Sequence, residues 1–202
     1  MVHSGAGASG IIADMPKLQV IAYIVLSVCW IAFSLAFMKP QRSAAGHKKA
    51  VRDPSSRRGI LLVMIAFACE GAFIRPPGFH KPDWMLIASM VIGPPSVVLV
   101  WMAARHLDKQ WRYEAALSED HELVKTGPYR WLRHPIYASM FGMLLETGLV
   151  NAWWPLLLAG LVFYVIGTEI RVRAEDGLLA ARFGEEFDRY RRSAHAYVPF
   201  IR

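Results

Sequence analysis

The chain has 202 residues, of which 54% are hydrophobic and 19% charged, with a formal net charge of +7. It is more apolar than an average soluble domain, and its apolar residues form long uninterrupted blocks, which excludes an ordinary soluble globular protein. The positive charge lies between these blocks and forms no separate basic domain, which argues against a nucleic-acid-binding protein. Cys29 and Cys69 lie inside apolar blocks and indicate neither a disulfide nor a metal site.

Three apolar segments occupy the first half of the chain. Leu18–Met38 is uncharged over 21 residues, long enough at about 1.5 Å per residue to cross a hydrocarbon core of about 30 Å. Ile60–Ile74 is shorter and contains Glu70, which predicts a short or tilted span. Trp84–Ala104 is uncharged but contains Pro94-Pro95, which predicts a break or kink near the middle of the span.

The longest apolar stretch is Ile136–Gly167, whose only charge is Glu146. One helix of that length would overshoot the bilayer, and the sequence GLVNAWWP interrupts it at residues 148–155. We therefore predict two short helices that are joined at Asn151 and carry tryptophans at the membrane interface. The predicted fold is all-α and integral to the membrane, with about five transmembrane helices that include this carboxyl-terminal hairpin.

The Lys and Arg residues indicate the topology, because the cytoplasmic flanks of membrane spans collect positive charge. With five spans, 20 of the 23 Lys and Arg residues lie on one side. This predicts a multi-pass protein of a bacterial-type inner membrane or the endoplasmic reticulum, with its amino terminus outside and its carboxyl terminus in the cytoplasm. The amino-terminal 17 residues lack the pattern of a cleaved secretory signal, so we expect the first segment to be retained. Such a basic face favours anionic membrane lipids as partners, and no nucleic acid is expected.

A first polar block precedes the fourth segment. Gly127-Pro128 and His134-Pro135 predict helix starts, because proline fits the first helical position and keeps the preceding residue out of the α region. We expect backbone N–H groups to be free where the fourth segment starts, flanked by Arg133 and His134, which suits an anion. Interfacial anchoring by the arginine and aromatic side chains explains the same pattern equally well.

A second polar block, residues 169–202, predicts a helix that leaves the membrane and is followed by an amphipathic helix. Helical spacing places Arg171 and Glu175 on one face, with Arg173 and Asp176 on the next. Such pairs are most often weak surface ion pairs, but ionisable groups at the edge of a membrane hairpin are a functional-site hypothesis by default. The apolar residues of the block predict a helix along the bilayer surface: Leu178, Leu179, Phe183 and Phe187.

Two motifs carry a family resemblance. LVKTGPYRWLRHPIYASM at residues 123–140 and RVRAEDGLLAARFGEEFDRYRRSAHAYVPFI at residues 171–201 together resemble the isoprenylcysteine carboxyl methyltransferase family and its relatives, the phospholipid N-methyltransferases. The resemblance covers roughly residues 84–202 as a methyltransferase core, which leaves residues 1–83 as two further membrane segments with a basic cytoplasmic loop. The chain departs from the family at Asp176, where the family has glutamate, and at Phe187, where it often has tyrosine.

The resemblance implies that S-adenosyl-L-methionine binds in a cytoplasmic active-site cleft between the two motifs. The cofactor-binding residues that it implies are Lys125, Gly127, Pro128, Tyr129, Arg133, His134, Tyr137, Glu175 and Asp176, of which Asp176 is less secure than Glu175. It implies a catalytic group of Arg171, Arg173 and Glu175, in which one of the arginines meets a carboxylate or lipid phosphate of the acceptor. It implies no metal.

The predicted function is methylation of a lipophilic acceptor, either a small molecule or a lipidated substrate, with carboxyl O-methylation of an isoprenylcysteine-like group as the leading possibility. N-methylation of an ethanolamine lipid head group is the alternative in the same chemistry. An NADPH-dependent membrane reductase and a scaffold that binds anionic lipid are the rivals from other classes. The glycine-rich GAGASG at residues 5–10 follows no strand and does not support a nucleotide site.

Overall fold

The structure, a computed structural model, describes residues 16–38, 51–52, 55–72, 76–77, 79–107, 116–117 and 123–197. These residues form six α-helices: α1 Lys17–Met38, α2 Ser55–Gly71, α3 Asp83–Leu107, α4 Pro135–Asn151, α5 Trp154–Phe183 and α6 Glu185–Ser193. A 3₁₀ helix, Gly127–Arg130, precedes α4, and the two-residue strands Val51–Arg52 and Ala116–Leu117 pair antiparallel. The predicted all-α class is confirmed. Most of the basic loop between the first two segments, the GAGASG stretch and the last five residues lie outside the described residues.

Three helices in the described part of the chain, α1, α3 and α5, are long and apolar enough to cross a membrane. Helices α2 and α4 have 17 residues each, which gives about 26 Å of helix. Large apolar side chains such as Ile31, Val91 and Val162 are more than half exposed on the outer faces of the long helices, as expected where lipid replaces water. The chain is thus a helical membrane protein, and the number of five spans stays a prediction.

The carboxyl-terminal hairpin forms where the sequence predicts it. Helix α4 ends at Asn151 and α5 begins at Trp154. The Nζ of Lys81 donates to the carbonyls of Gly148 and Ala152. The Gly148 carbonyl also accepts the backbone N–H of Ala152. A side chain from the loop before α3 therefore closes the turn of the hairpin.

Helix α5 continues far beyond its apolar part, which ends at Gly167. The following residues as far as Phe183 extend the same helix by about 24 Å, and we place them outside the membrane-spanning segment. The helix stops at Gly184, whose φ of +50° lies in the left-handed region that favours glycine. The short helix α6 begins there and returns towards the start of α4.

The prediction that the last helix lies along the bilayer with Phe187 is wrong. The Phe187 side chain is fully buried and packs in a cluster with Tyr190 and Ala194. Leu179 and Phe183 contact the same cluster. The protein itself covers the apolar side of α6 at Phe187 and Tyr190, because the turn at Gly184 directs α6 back onto the chain.

Glycines allow the helices to approach closely. Where α2 crosses α5, a Cβ on Gly59 would lie 2.6 Å from the carbonyl oxygen of Gly167. Where α3 packs on α4, a Cβ on Gly93 would overlap the carboxyl group of Glu146. Small residues at crossings are the usual way in which membrane helices gain packing contacts. The two amino-terminal helices also pack on the remaining helices, α1 on α3 and α2 on α5.

Helix α3 runs through Pro94-Pro95 without a break in the helix, so the predicted interruption does not end it. The proline ring fixes φ near a helical value, and its cost is a lost N–H donor and crowding of the preceding turn. The carbonyls of Met90 and Val91 consequently lack their usual donors four residues later. The carboxyl of Glu146 lies beside this turn, at Gly93.

Two carboxyl groups are buried in the apolar part of the bundle, at 0% exposure for Glu70 and 1% for Glu146. Glu70 of α2 lies against Gly148 of α4 and Gly160 of α5. Because Glu146 and Gly148 are two residues apart on one helix, they point to nearly opposite sides of α4 at similar depth. A carboxyl group therefore lies on each side of α4.

The close approach of α2 and α5 at Gly167 generates a stability prediction. A Cβ on Gly167 would lie 2.8 Å from the backbone oxygen of Gly59, so Gly167→Ala requires the two helices to separate, and we expect it to lower the free energy of unfolding by about 1–3 kcal/mol. Gly177→Ala is the matched control, since a Cβ there meets nothing within 4 Å and alanine is the better helix former by about 1 kcal/mol. Thermal unfolding in detergent should shift down for the first variant and not for the second. Equal shifts would contradict the contact.

Candidate functional site

The amino end of α4 and the extended part of α5 meet at a buried cluster of charged side chains. His134, which caps α4, is 7% exposed. Its Nδ1 lies 3.2 Å from Oε2 of Glu175, and its Nε2 lies 2.9 Å from Oδ1 of Asp176. Two consecutive acids of α5 thus hold one imidazole ring at both nitrogens.

This pairing sets the charge of the cluster. Burial by itself would lower the pKa of His134, but the hydrogen bonds to Asp176 and Glu175 raise it above its ordinary value. Burial would likewise raise the pKa of Glu175 and Asp176, but their hydrogen bonds to His134 lower both. His134 therefore favours the imidazolium form, which donates from both ring nitrogens.

Arg133 adds a second cation on the far side of Asp176. Its Nη2 lies 3.3 Å from Oδ2 of Asp176, so the two oxygens of that carboxylate bind different cations. Its Nη1 donates to the carbonyls of Arg191 and Ala194, which are among the groups left unpaired where α6 ends. Arg133 therefore ties α5 and the end of α6 to the start of α4.

Tyr137 and Arg171 complete the cluster on the side of Glu175. The Tyr137 hydroxyl donates to Oε1 of Glu175 and accepts a hydrogen bond from Nε of Arg171 at 2.7 Å. The guanidinium of Arg171 also lies over the Tyr137 ring, 5.2 Å from its centre, a favourable cation–π contact. Tyr164 donates to the Tyr137 carbonyl at 2.6 Å and fixes this turn of α4.

The free backbone N–H groups predicted before α4 are occupied. Arg133 donates its backbone N–H to the carbonyl of His195 at 2.7 Å, and His134 donates to the carbonyl of Ala196 at 2.8 Å. His195 in turn donates to Trp131 at 2.9 Å, within a parallel bridge between Leu132 and His195. The segment after α6 takes these donors, so they form no open anion site. Sequence reasoning missed this pairing because no local pattern marks it.

The GPY turn at residues 127–130 is held by other parts of the chain. Gly127 has a φ of +59°, and a Cβ there would overlap the ring of His106 at the end of α3. Position 127 thus requires glycine for its backbone and for the contact with His106, a residue that no sequence pattern singles out. The hydroxyl of Tyr190 donates to the carbonyl of Tyr129 at 2.6 Å, which fixes the turn on α6.

The structure brings most of the predicted site residues together. The charged cluster contains six of them: Arg133, His134, Tyr137, Arg171, Glu175 and Asp176. Pro128 and Tyr129 are buried in the turn, while the exposed side chain of Lys125 pairs with Glu186 at 2.6 Å. Arg173 stays apart, with its side chain 71% exposed and paired with Glu169 one turn earlier.

The cluster fits the charges of S-adenosylmethionine. The cofactor carries a sulfonium and an ammonium group, which suit carboxylates, and a carboxylate, which suits Arg133 or Arg171. Glu175 is the more accessible acid, with 24% of its side chain exposed against 8% for Asp176. Both acids already bind cations of the chain, so a bound cofactor would replace part of these contacts.

Comparison with known proteins agrees with the sequence motifs. Residues 86–181 match the model of the Isoprenylcysteine carboxyl methyltransferase (ICMT) family. A Protein-S-isoprenylcysteine O-methyltransferase of Tribolium castaneum is 33% identical over 182 residues, which is 83% of this chain and 60% of that protein. The enzyme of the same name from Saccharomyces cerevisiae is 36% identical over 83 residues, 41% of this chain and 34% of that protein.

A bacterial relative, the Uncharacterized protein YpbQ of Bacillus subtilis, is 31% identical over 97 residues, 48% of this chain and 57% of that protein. The chain therefore spans less than two thirds of the length of each of these relatives. The resemblance to the family is confirmed, and its matched part contains the first motif and the acids of the second.

The paired charges predict how stability depends on pH. The raised pKa of His134 contributes stability that is complete below about pH 6.5 and lost as pH rises through the folded value. The lowered pKa values of Glu175 and Asp176 contribute stability above about pH 4 that is lost on further acidification. The cluster therefore stabilises the fold most in mildly acidic solution.

We expect the thermal midpoint of the detergent-solubilised protein to fall as pH rises from mildly acidic to alkaline values. His134→Gln should remove much of that slope, whereas His106→Gln, an exposed histidine outside the cluster, should keep it. Tryptophan fluorescence during heating provides the measurement. An unchanged slope in His134→Gln would show that the imidazole does not carry the pH dependence.

Proposed function

We propose that this protein is an integral-membrane methyltransferase that uses S-adenosylmethionine, because residues 86–181 match the model of the isoprenylcysteine carboxyl methyltransferase family. The observation that carries the proposal is the position of Glu175. Its carboxylate binds Tyr137 and His134 from the first motif and lies 3.6 Å from Nη2 of Arg171 in the second. The two motifs by which the family is recognised therefore meet at one acid.

We assign the cofactor to the side of the cluster where Glu175 is accessible. S-adenosylmethionine supplies a methyl group bonded to a positively charged sulfur. The Glu175 carboxylate would balance part of the positive charge of the cofactor, and Tyr137 would fix the orientation of that carboxylate. Arg133 holds Asp176 away from the cofactor, which agrees with Asp176 being the less secure ligand.

The acceptor group that suits this site best is a carboxylate. Arg171 lies beside Glu175 and Tyr137 and presents a planar set of donors that matches a carboxylate. The bound cofactor would supply an electrophilic methyl group with a neutral thioether as the leaving group, and Arg171 would hold the acceptor carboxylate towards it. The transfer needs alignment of donor and acceptor more than it needs an acid or a base.

An amine acceptor would need a base to remove its proton, and neither His134 nor Glu175 is available for that role. Both nitrogens of His134 bind carboxylates, and its raised pKa favours the protonated form. The pKa of Glu175 is lowered, and its carboxylate already accepts from Tyr137 and His134. An ionised carboxylate acceptor requires no proton removal, so the site favours O-methylation over N-methylation of an ethanolamine lipid.

The names of the relatives favour an acceptor of the isoprenylcysteine type. The proteins from Saccharomyces cerevisiae and Tribolium castaneum are named as isoprenylcysteine O-methyltransferases. We extend that substrate class to this chain as a proposal, with a lipid tail that reaches the cluster from within the bilayer, past Pro94-Pro95 and the short α4.

Two further parts of the proposal concern the arrangement of the chain. We propose that the cluster and the carboxyl terminus lie on the cytoplasmic side, where the cofactor is available, and the distribution of Lys and Arg residues supports this orientation. Residues 84–202 form the methyltransferase core, and residues 1–83 add α1 and α2 as the membrane part that faces the acceptor tail.

Cofactor binding provides the first test. Calorimetry with S-adenosylhomocysteine on the detergent-solubilised chain should show saturable binding, because this product of methyl transfer keeps the carboxylate and ammonium groups of the cofactor. Glu175→Gln should weaken it at least about tenfold, the loss of roughly 1.4 kcal/mol. Arg173→Gln should leave it unchanged, since that side chain lies outside the cluster. Absence of binding to the unmodified chain would remove the methyltransferase proposal.

The chemistry of the product provides the second test. Transfer of radiolabelled methyl to a prenylcysteine should give label that base releases, as expected of a methyl ester. Arg171→Gln should lower acceptor affinity by about tenfold or more while cofactor affinity changes less. Label that resists base would identify an amine product and would contradict the carboxylate acceptor.

A further inference from the structure

A second group of cations lies beside the cluster, where α6 ends. A cavity of about 270 Å³ opens there and is lined by Arg133, Arg191, Arg192, Ser193, Ala194 and His195. None of these lining residues is acidic. Of the residues that the resemblance implies for the cofactor, the cavity borders only Arg133, so most of its wall belongs to no assigned site.

Arg133 is the fixed part of this wall. It is 7% exposed and is held by the carbonyls of Arg191 and Ala194 and by the carboxylate of Asp176. Its Nε is buried and has no hydrogen-bond partner among the described residues. These contacts hold the Arg133 guanidinium in place at the cavity. Its partner carboxylate, Asp176, also binds His134.

Arg191 and Arg192 form the outer part of the wall. Both are exposed and occupy the last turn of α6. Neither forms an ion pair with another described residue, although Asp188 lies about one turn earlier on the same helix. Arg191 and Arg192 thus bring to the cavity two guanidinium groups without an acidic partner in the described part of the chain, next to Arg133, whose partner Asp176 does not line it. An anion in the cavity would offset the repulsion between these groups.

We propose that this cavity binds a phosphate group. A guanidinium group matches phosphate with parallel N–H donors, and a phosphate presents enough oxygens to serve several arginines at once. A carboxylate, with two oxygens, would leave part of this donor set unpaired. The phosphate belongs either to a lipid head group or to a free phosphate ion.

The position of the cavity brings it within reach of lipid head groups. It lies beside the part of α5 beyond Gly167, where the helix has left its apolar segment, and next to the start of α4. Among the described residues, neither Arg191 nor Arg192 contacts Glu175 or its partners Tyr137 and Arg171. The phosphate site therefore shares only Arg133 with the proposed cofactor site, and it is tested through Arg191 and Arg192.

Calorimetry on the full chain in detergent tests the site with two probes, inorganic phosphate and short-chain phosphatidic acid, at constant ionic strength so that screening does not change. The test variant is Arg191→Gln with Arg192→Gln. The matched control is Arg182→Gln with Arg189→Gln, which removes the same charge from exposed positions outside the cavity.

We expect saturable binding that the test variant weakens at least about tenfold and the control variant leaves within about twofold. Phosphatidic acid that binds about tenfold more tightly than inorganic phosphate would identify a lipid as the source, and equal affinities would identify the free ion.

Three results would overturn the phosphate site. These are the absence of saturable binding for both probes, an equal loss in both variants, and a matching loss of S-adenosylhomocysteine affinity in the test variant, which would assign the cavity to the cofactor. Failure of the unmodified chain to bind S-adenosylhomocysteine would instead contradict the proposed function and leave the phosphate result standing.

Discussion

The imidazole of His134 lies between two carboxylates, and this contact determines how the two motifs must be arranged. A buried cation without a partner is costly by several kcal/mol, so Glu175 and Asp176 have to reach the ring from both sides. They can do so because they are neighbours on one helix that extends beyond its apolar part. The length of α5 is therefore a requirement of the cluster, and the start of α4 is fixed by the same ring.

Each acid of the cluster already pairs with cationic side chains of the protein. Glu175 lies between His134 and Arg171, and Asp176 lies between His134 and Arg133. Binding of the proposed, positively charged cofactor would require Glu175 to exchange a cation of the chain for one of the cofactor. Such an exchange would make the affinity depend on the protonation of His134. Without the cofactor, the ion pairs of the cluster keep both acids paired.

The sequence predicted the parts of this structure that depend on local patterns. Uninterrupted apolar runs and the polar interruption at Asn151 were sufficient for the helices and the hairpin, and helical spacing brought Arg171 and Glu175 to one face. The choice between Arg171 and Arg173 required the position of Tyr137 on another helix. Contacts between distant segments were not predictable, because no periodicity encodes the pairing of residues 131–134 with residues 194–196. The burial of α6 likewise follows from the turn after α5, which hydrophobicity alone does not indicate.

Helix α4 has a consequence for how the protein is made. Twelve of its 17 residues are buried by other helices, and Glu146 lies within its apolar part, where an ionised residue at the centre of a span costs about 2.5–3.5 kcal/mol during insertion. By itself α4 would be a poor candidate for release into lipid. Its position depends on packing against Gly93 of α3, against Glu70 of α2 and against α5. We therefore expect the insertion machinery to hold α4 until its neighbouring helices have entered the membrane. The helices around the charged cluster would then be inserted as a group.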